Sequence, residues 1–207
     1  STHKTLPGPQ HGVILSDLSK DGLESGLRRG VFPGVTSNHH LHSVAALAVT
    51  LAETKEFGEA YADQTVRNAK ALALALHSRG MDVLCEKHGF TESHTIVLDV
   101  EEFQGGAKVA KALESANIIV NKNLLPWDSD PVRPSGVRMG SQEVTRLGMK
   151  EKDMDSVAEL IVRVAKGEAP EKVKAEVAAL KSSFTKVHYC FFEGEEAYDY
   201  PSYDGDL

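Results

Sequence analysis

The chain has 207 residues, of which 41% are hydrophobic and 26% charged, and a formal net charge of −7; that is long enough to bury a sizeable core, with the composition of an ordinary globular protein. The negative balance and the lack of a basic stripe argue against nucleic acid as a partner, because phosphate backbones are held by clustered Lys and Arg. No apolar run approaches the roughly 18 residues of a membrane span, and two distant cysteines, Cys85 and Cys190, argue against a disulfide framework and point to a reducing cytoplasm.

The chain opens on Thr2-His3-Lys4-Thr5-Leu6-Pro7-Gly8-Pro9, a lysine among hydroxyl residues ahead of a Pro-Gly-Pro turn, which does not suit a helix. A lysine becomes an amine nucleophile when desolvation or a neighbouring positive charge leaves part of it neutral near pH 7. On those residues alone, a solvated tail fits better than a reactive amine.

Val13-Ile14-Leu15 reads as the core of a buried strand. Residues 19–29 fit a short helix stopped by Gly30, and Phe32-Pro33-Gly34 signals a turn. His39, His40 and His42 lack a cysteine or carboxylate at ligand spacing, so no metal site is expected. Instead, Ser37 or Asn38 caps a helix whose inner face carries Leu41, Val44, Ala45, Ala48 and Leu51. Free N–H groups at such an end suit a phosphate.

A second, long helix is expected over residues 57–79, ended by Gly80. Strands are expected over residues 81–85, 95–100, 118–120 and 136–139, with a helix over 106–116. Met154, Val157, Leu160, Ile161 and Val164 form one stripe of a helix over 151–166, and Pro170 starts another that runs to about Phe184. The acidic, tyrosine-rich segment 189–207 packs on the body or on a partner; the residues do not decide. The division read from this order is residues 1–80, then an α/β unit over 81–188, then the tail.

The opening segment resembles the Thr-His-Lys-Thr-Leu-x-Gly-Pro motif of the serine hydroxymethyltransferase family, whose lysine carries pyridoxal phosphate. The likeness continues through Val31-Phe32-Pro33-Gly34, Asn68-Ala69-Lys70, Ala116-Asn117-Ile118, Asn121-Lys122-Asn123 and Pro134-Ser135-Gly136-Val137-Arg138-Met139-Gly140, covering residues 1 to about 166. The resemblance implies an α/β fold: the C-terminal part of a fold-type I pyridoxal phosphate-dependent transferase, with part of the large domain and an α/β small domain. It makes Lys4 the cofactor-bearing catalytic residue, with His3 shaping the site. Ser37, Asn38 and His39 stand in place of the family's Gly-Gly-Pro loop near the cofactor phosphate of the neighbouring subunit, Arg138 holds the substrate carboxylate and Asn123 lies near the folate.

Serine, glycine or threonine is then the amino-acid substrate, with tetrahydrofolate a candidate second cofactor. The family builds its site between subunits, which implies a homo-oligomer such as a homodimer. Two departures bear on folate dependence and acceptor choice: Gln10-His11 replaces Arg-Gly after the turn, and Ser141-Gln142-Glu143 replaces Thr-Pro-Ala. In the family, the aspartate facing the pyridine nitrogen and the histidine stacked on the ring precede the lysine, so a partner chain or segment with the N-terminal half is expected. The alternatives are a threonine aldolase or transaldolase relative, and a non-catalytic remnant that stabilises a full-length partner.

Overall fold

One helix of 38 residues, α2 (Leu41–Ser78), runs through both compact units into which the chain divides, residues 1–58 and 59–207. The computed structural model of the protein describes residues 1–17 and 22–198. The expected pause between two helices does not occur, because Glu53, Thr54, Lys55 and Glu56 all continue the helix. Thr50 and Thr54 donate their hydroxyls back to the carbonyls of Ala46 and Thr50, at 2.9 and 2.7 Å. Gly58, though unfavourable in a helix interior by about 1 kcal/mol relative to alanine, lies against the Thr54 methyl. The expected stop at Gly80 holds: its φ is +82°, its N–H reaches the His77 carbonyl, and the Met81 N–H reaches that of Leu76.

In the first unit, residues 11–17 form no strand, and Ile14 and Leu15 are 61% and 88% exposed. A strand needs a neighbour to take up its backbone N–H and C=O groups, and none of the described residues lies alongside. Helix α1 (Leu23–Arg29) does not stop at Gly30, which keeps helical angles and leads into a wide turn over Gly30–Val35, kinked at Phe32 and Pro33. Neither Ser37 nor Asn38 caps α2. The first turn starts at the His40 carbonyl, which accepts the Val44 N–H, while the Asn38 side chain accepts the N–H of the adjoining His39. The face expected to be buried is outward: Leu41, Val44 and Leu51 are exposed, and Ser43, Thr50 and Glu53 are buried. No hydrophobic residue of 1–58 is buried among the described residues.

The second unit has a conventional core. Its four-stranded sheet, β1 (Asp82–Val83), β2 (Thr95–Asp99), β3 (Asn121–Asn123) and β4 (Gly136–Gly140), is antiparallel in the order β1-β2-β4-β3. Helix α3 (Gly106–Ser115) packs on β3 and β4 and meets α5 (Met154–Ala165) and α6 (Pro170–Lys181). Ala69, Leu72, Ala73 and Leu76 of α2 join Leu98, Val137, Met154 and Ile161 in the interior. Because α2 gives this unit those residues, the division falls at Gly58, inside the helix, and not at residue 80.

Two strands differ from expectation because helix ends claim their residues. Asn117, at φ +64°, and Ile118 close α3 by bonding to the Glu114 and Leu113 carbonyls, so β3 starts at Asn121 and not at Ile118. Strand β1 loses Met81 to the end of α2, and Cys85 to a left-handed turn at φ +66°. The five-residue helix α4 (Gln142–Arg146) was not expected. Residues 189–198 answer the question left open for the tail by packing on the body: Lys150 donates to the Tyr189 hydroxyl at 2.7 Å, and Tyr198 donates to Glu143 at 2.6 Å. Residues 199–207 lie outside the described ones.

At the centre is Asn68, fully buried, donating to Thr145 Oγ1 at 2.8 Å and to the Met149 carbonyl at 2.9 Å while accepting from Gln64 at 2.9 Å. Asn68→Ala strands that carbonyl and leaves a void, and is expected to lower the unfolding free energy by about 2 kcal/mol, read from urea denaturation; a change under about 0.5 kcal/mol contradicts this. Arg163 clamps α5 to α6 through Glu168 and Glu176, whose carboxyls it holds below the usual glutamate value of 4.5. Depressed folded-state values mean that this contribution is complete above pH 4.5 and fades as pH falls through the lower folded values. Arg163→Leu should therefore flatten the acid limb of a stability–pH curve, and an unchanged limb refutes the clamp.

Candidate active site

Lys4 stands at the tip of a closed loop. Thr2 locks its base: fully buried, its hydroxyl lies 2.6 Å from the Pro9 carbonyl and 2.9 Å from that of His11, and its N–H donates to the His11 carbonyl at 2.9 Å. His3 and Pro7 pair in a single antiparallel bridge, leaving Lys4, Thr5 and Leu6 as the turn. Gly8 donates to the Thr2 carbonyl at 2.8 Å, and a Cβ there would lie 2.6 Å from that oxygen and 3.1 Å from Thr50 Oγ1 on α2. Only glycine permits this approach. His11 makes a second attachment, its Nε2 lying 2.8 Å from Ser43 Oγ and its ring edge-on to His40 at 5.7 Å.

Lys4 and His3 are exposed, and among the described residues Lys4 has no hydrogen bond or ion pair. The described residues do not supply the shelter that an amine nucleophile requires. Ser37 and Asn38 are also exposed, and no hydrogen bond joins either to His3 or Lys4 among the described residues.

Arg138 and Asn123 are brought together on neighbouring strands. Val137 and Met139 point into the core, so the period-two alternation of β4 turns Arg138 outward. There it is flanked by Val97 of β2 and Asn121 of β3, and Asn123 pairs with Gly136 in the next row on the same face. Arg138 has no ion-pair partner among the described residues, which leaves its guanidinium free for an external carboxylate.

The segment joining β3 to β4 is held by one carboxylate that sequence reasoning missed. Asp128 accepts the Ser135 hydroxyl at 2.6 Å, the Leu125 N–H at 2.8 Å and the Ser135 N–H at 3.0 Å. Those donors, the Ser135 hydroxyl foremost, hold its carboxyl below the usual aspartate value. Ser135 lies in the Pro134-Ser135-Gly136 motif; a serine preceded seven residues earlier by an aspartate was the available signal. The residues that depart from the family motif after β4 are anchored internally: Ser141 donates to the Thr65 carbonyl at 2.8 Å, and the Gln142 carbonyl accepts from Tyr61 at 3.1 Å, a phenol whose pKa burial raises.

A family model described as serine hydroxymethyltransferase matches residues 1–161. The serine hydroxymethyltransferase of Methanopyrus kandleri is 55% identical over 206 residues, covering 97% of this chain and 47% of the relative. That of Thermoplasma volcanium is 55% identical over 203 residues, with the same coverage of 97% and 47%. Among solved structures, L-threonine transaldolase from Pseudomonas fluorescens superposes with a TM-score of 0.81 at 34% identity, covering 92% of this chain and 44% of that one. The chain thus spans about half the length of the curated relatives it matches.

The lock on the Lys4 loop is testable without any cofactor. Gly8→Ala drives a methyl into the Thr2 carbonyl and should speed hydrogen exchange at the amides of Gly8 and His11 by about tenfold or more. Unchanged exchange at both would show that the loop is not held as described.

Proposed function

This chain belongs to the serine hydroxymethyltransferase family, and on that premise we propose that it is the C-terminal portion of a pyridoxal phosphate-dependent enzyme moving a one-carbon unit between serine and glycine. Its fold is α/β, that of the corresponding part of a fold-type I transferase. The observation that carries the reading is Arg138: a guanidinium unpaired among the described residues, projecting from a regular strand beside two asparagines.

The donor set fits the cofactor in part: an amine without a partner on a locked loop, and a separate cation for the substrate. Lys4 would hold pyridoxal phosphate, with His3 shaping the approach and Ser37 and Asn38 near the phosphate. When bound, the cofactor supplies an electron sink for the bond broken at the amino-acid α-carbon. Arg138 would grip the α-carboxylate by two parallel hydrogen bonds, which fixes the orientation of the amino-acid substrate. Asn123 would contact tetrahydrofolate, the proposed one-carbon acceptor.

The exposure of Lys4 supports a site completed by other protein, either a partner chain or a segment with the N-terminal half, in an oligomer such as a homodimer working in the cytoplasm. A second reading rests on the likeness to L-threonine transaldolase: the same lysine and arginine would serve cleavage of a β-hydroxy amino acid such as threonine, with an aldehyde as acceptor. The identity of 55% to serine hydroxymethyltransferases favours the first.

Borohydride reduction after incubation with pyridoxal phosphate, with the N-terminal half supplied, is expected to fix the cofactor on Lys4, and Lys4→Arg should remove that label. Arg138→Leu should raise the KM for serine by about tenfold to a hundredfold, the loss of a charge-assisted pair, and leave the labelling intact. No cofactor uptake by the assembled protein would instead support a non-catalytic remnant.

A further inference from the structure

The cluster around Asp128 offers more than loop closure. The segment from Leu124 to Ser135 has no regular secondary structure, yet its ends are the two strands that carry Asn123 and Arg138. Ordering a connection of this length costs conformational entropy at each residue it fixes. Asp128 opposes that freedom at both stems, because Leu125 lies two residues after β3 and Ser135 directly before β4.

Ser135 is also tied from the other side. Its carbonyl accepts the Val100 N–H at 3.0 Å, and the preceding Pro134 carbonyl accepts the Gly106 N–H at 2.8 Å. At Gly106 a Cβ would lie 2.0 Å from the Gly136 carbonyl. The backbone entering β4 therefore rests on α3 without slack, and Asp128 supplies the opposing hold. The residue before Asp128 adds a further tether: Trp127 donates to Asp99 at 3.2 Å, fastening the loop to the end of β2. With Ser135 fixed, Arg138 stands three residues along the strand, paired with Val97 of β2 and Asn121 of β3.

We propose that Asp128 is a positioning residue for the substrate-carboxylate site: by bridging Leu125 and Ser135 it sets the register of β3 against β4, and with it the placement of Arg138 beside Asn121 and Asn123. This rests on the assignment of Arg138 to the substrate carboxylate. Asp128 touches no substrate; it acts through the two strands. The role asks for the oxygen geometry of the side chain more than for its charge, which sets the design of the test.

In the assembled enzyme, Asp128→Ala should raise the KM for serine and the dissociation constant for glycine by about tenfold to a hundredfold, the scale of a displaced substrate clamp, with kcat altered far less. Asp128→Asn keeps an acceptor for the two N–H groups and a donor for the Ser135 hydroxyl, and should restore both constants to within about threefold of the parent. Hydrogen exchange at the Arg138 amide should quicken in the alanine variant and recover in the asparagine variant. If Asp128→Ala leaves glycine binding unchanged while the parent enzyme binds it, the positioning role is wrong and the wider reading stands. If the asparagine variant is as impaired as the alanine one, geometry is not what Asp128 supplies. A parent enzyme without glycine binding or turnover overturns the functional reading and this inference with it.

Discussion

The antiparallel pairing of β4 between β2 and β3 is the constraint on which the second unit depends. Central strands have partners on both edges, so their register cannot slip without moving a whole set of side chains to the wrong face. With Val137 fully buried and Met139 nearly so, Arg138 has no choice of face. The same arithmetic puts Val97, Asn121 and Arg138 in one row, and Asp99 and Asn123 in the row beside it. A binding group on such a strand inherits the rigidity of the core behind it, because to move it is to move the packing.

The first unit is held by different means. Its buried residues are Thr2, Ser43, Thr50 and Glu53, and its apolar side chains, Val13 to Leu15 and the Leu41 face of α2, are outside. Burial of apolar area is the main favourable term in folding, and here that term is nearly absent among the described residues. What orders the Lys4 loop is a set of hydrogen bonds around Thr2 and the close approach of Gly8 to α2. Net contributions of this kind are about 1 kcal/mol each, enough to shape a loop and too little to replace a core.

Legibility followed this contrast. Where apolar residues bury in this chain, periodicity identified the elements: α3, β2, β4, α5 and α6 lie within a few residues of where the pattern puts them. Misplacements there arose at helix ends, as when Asn117 and Ile118 closed α3 and shortened the strand run. In the first unit the apolar pattern was real but its partners were not among the described residues, so Val13 to Leu15 read as a buried strand and the Leu41 face as a core. Lys4, Arg138 and Asn123 came from motif resemblance; no local pattern distinguishes Lys4 from a solvated tail. Asp128 escaped because its partners, Leu125 three residues before it and Ser135 seven after, offer backbone N–H groups and a hydroxyl in a segment without regular secondary structure, where apolar periodicity gives no guide.

A large exposed apolar patch on a folded chain marks an interaction site. The unit that carries Lys4 exposes Val13 to Leu15 and the Leu41 face of α2, and Lys4 itself is exposed. An amine nucleophile needs shelter from water, so a chemical role for Lys4 and a cover for the apolar residues make the same demand. The proposed completion of the enzyme by the N-terminal half meets both at once: it would bury Val13 to Leu15 and the Leu41 face, and the burial that stabilises the unit would exclude water from the lysine. The proposed substrate clamp at Arg138 needs no such help, since its strand already rests on a core. The two proposed functional groups thus differ in what they would ask of a partner, and the lysine is the one whose proposed chemistry would wait on assembly.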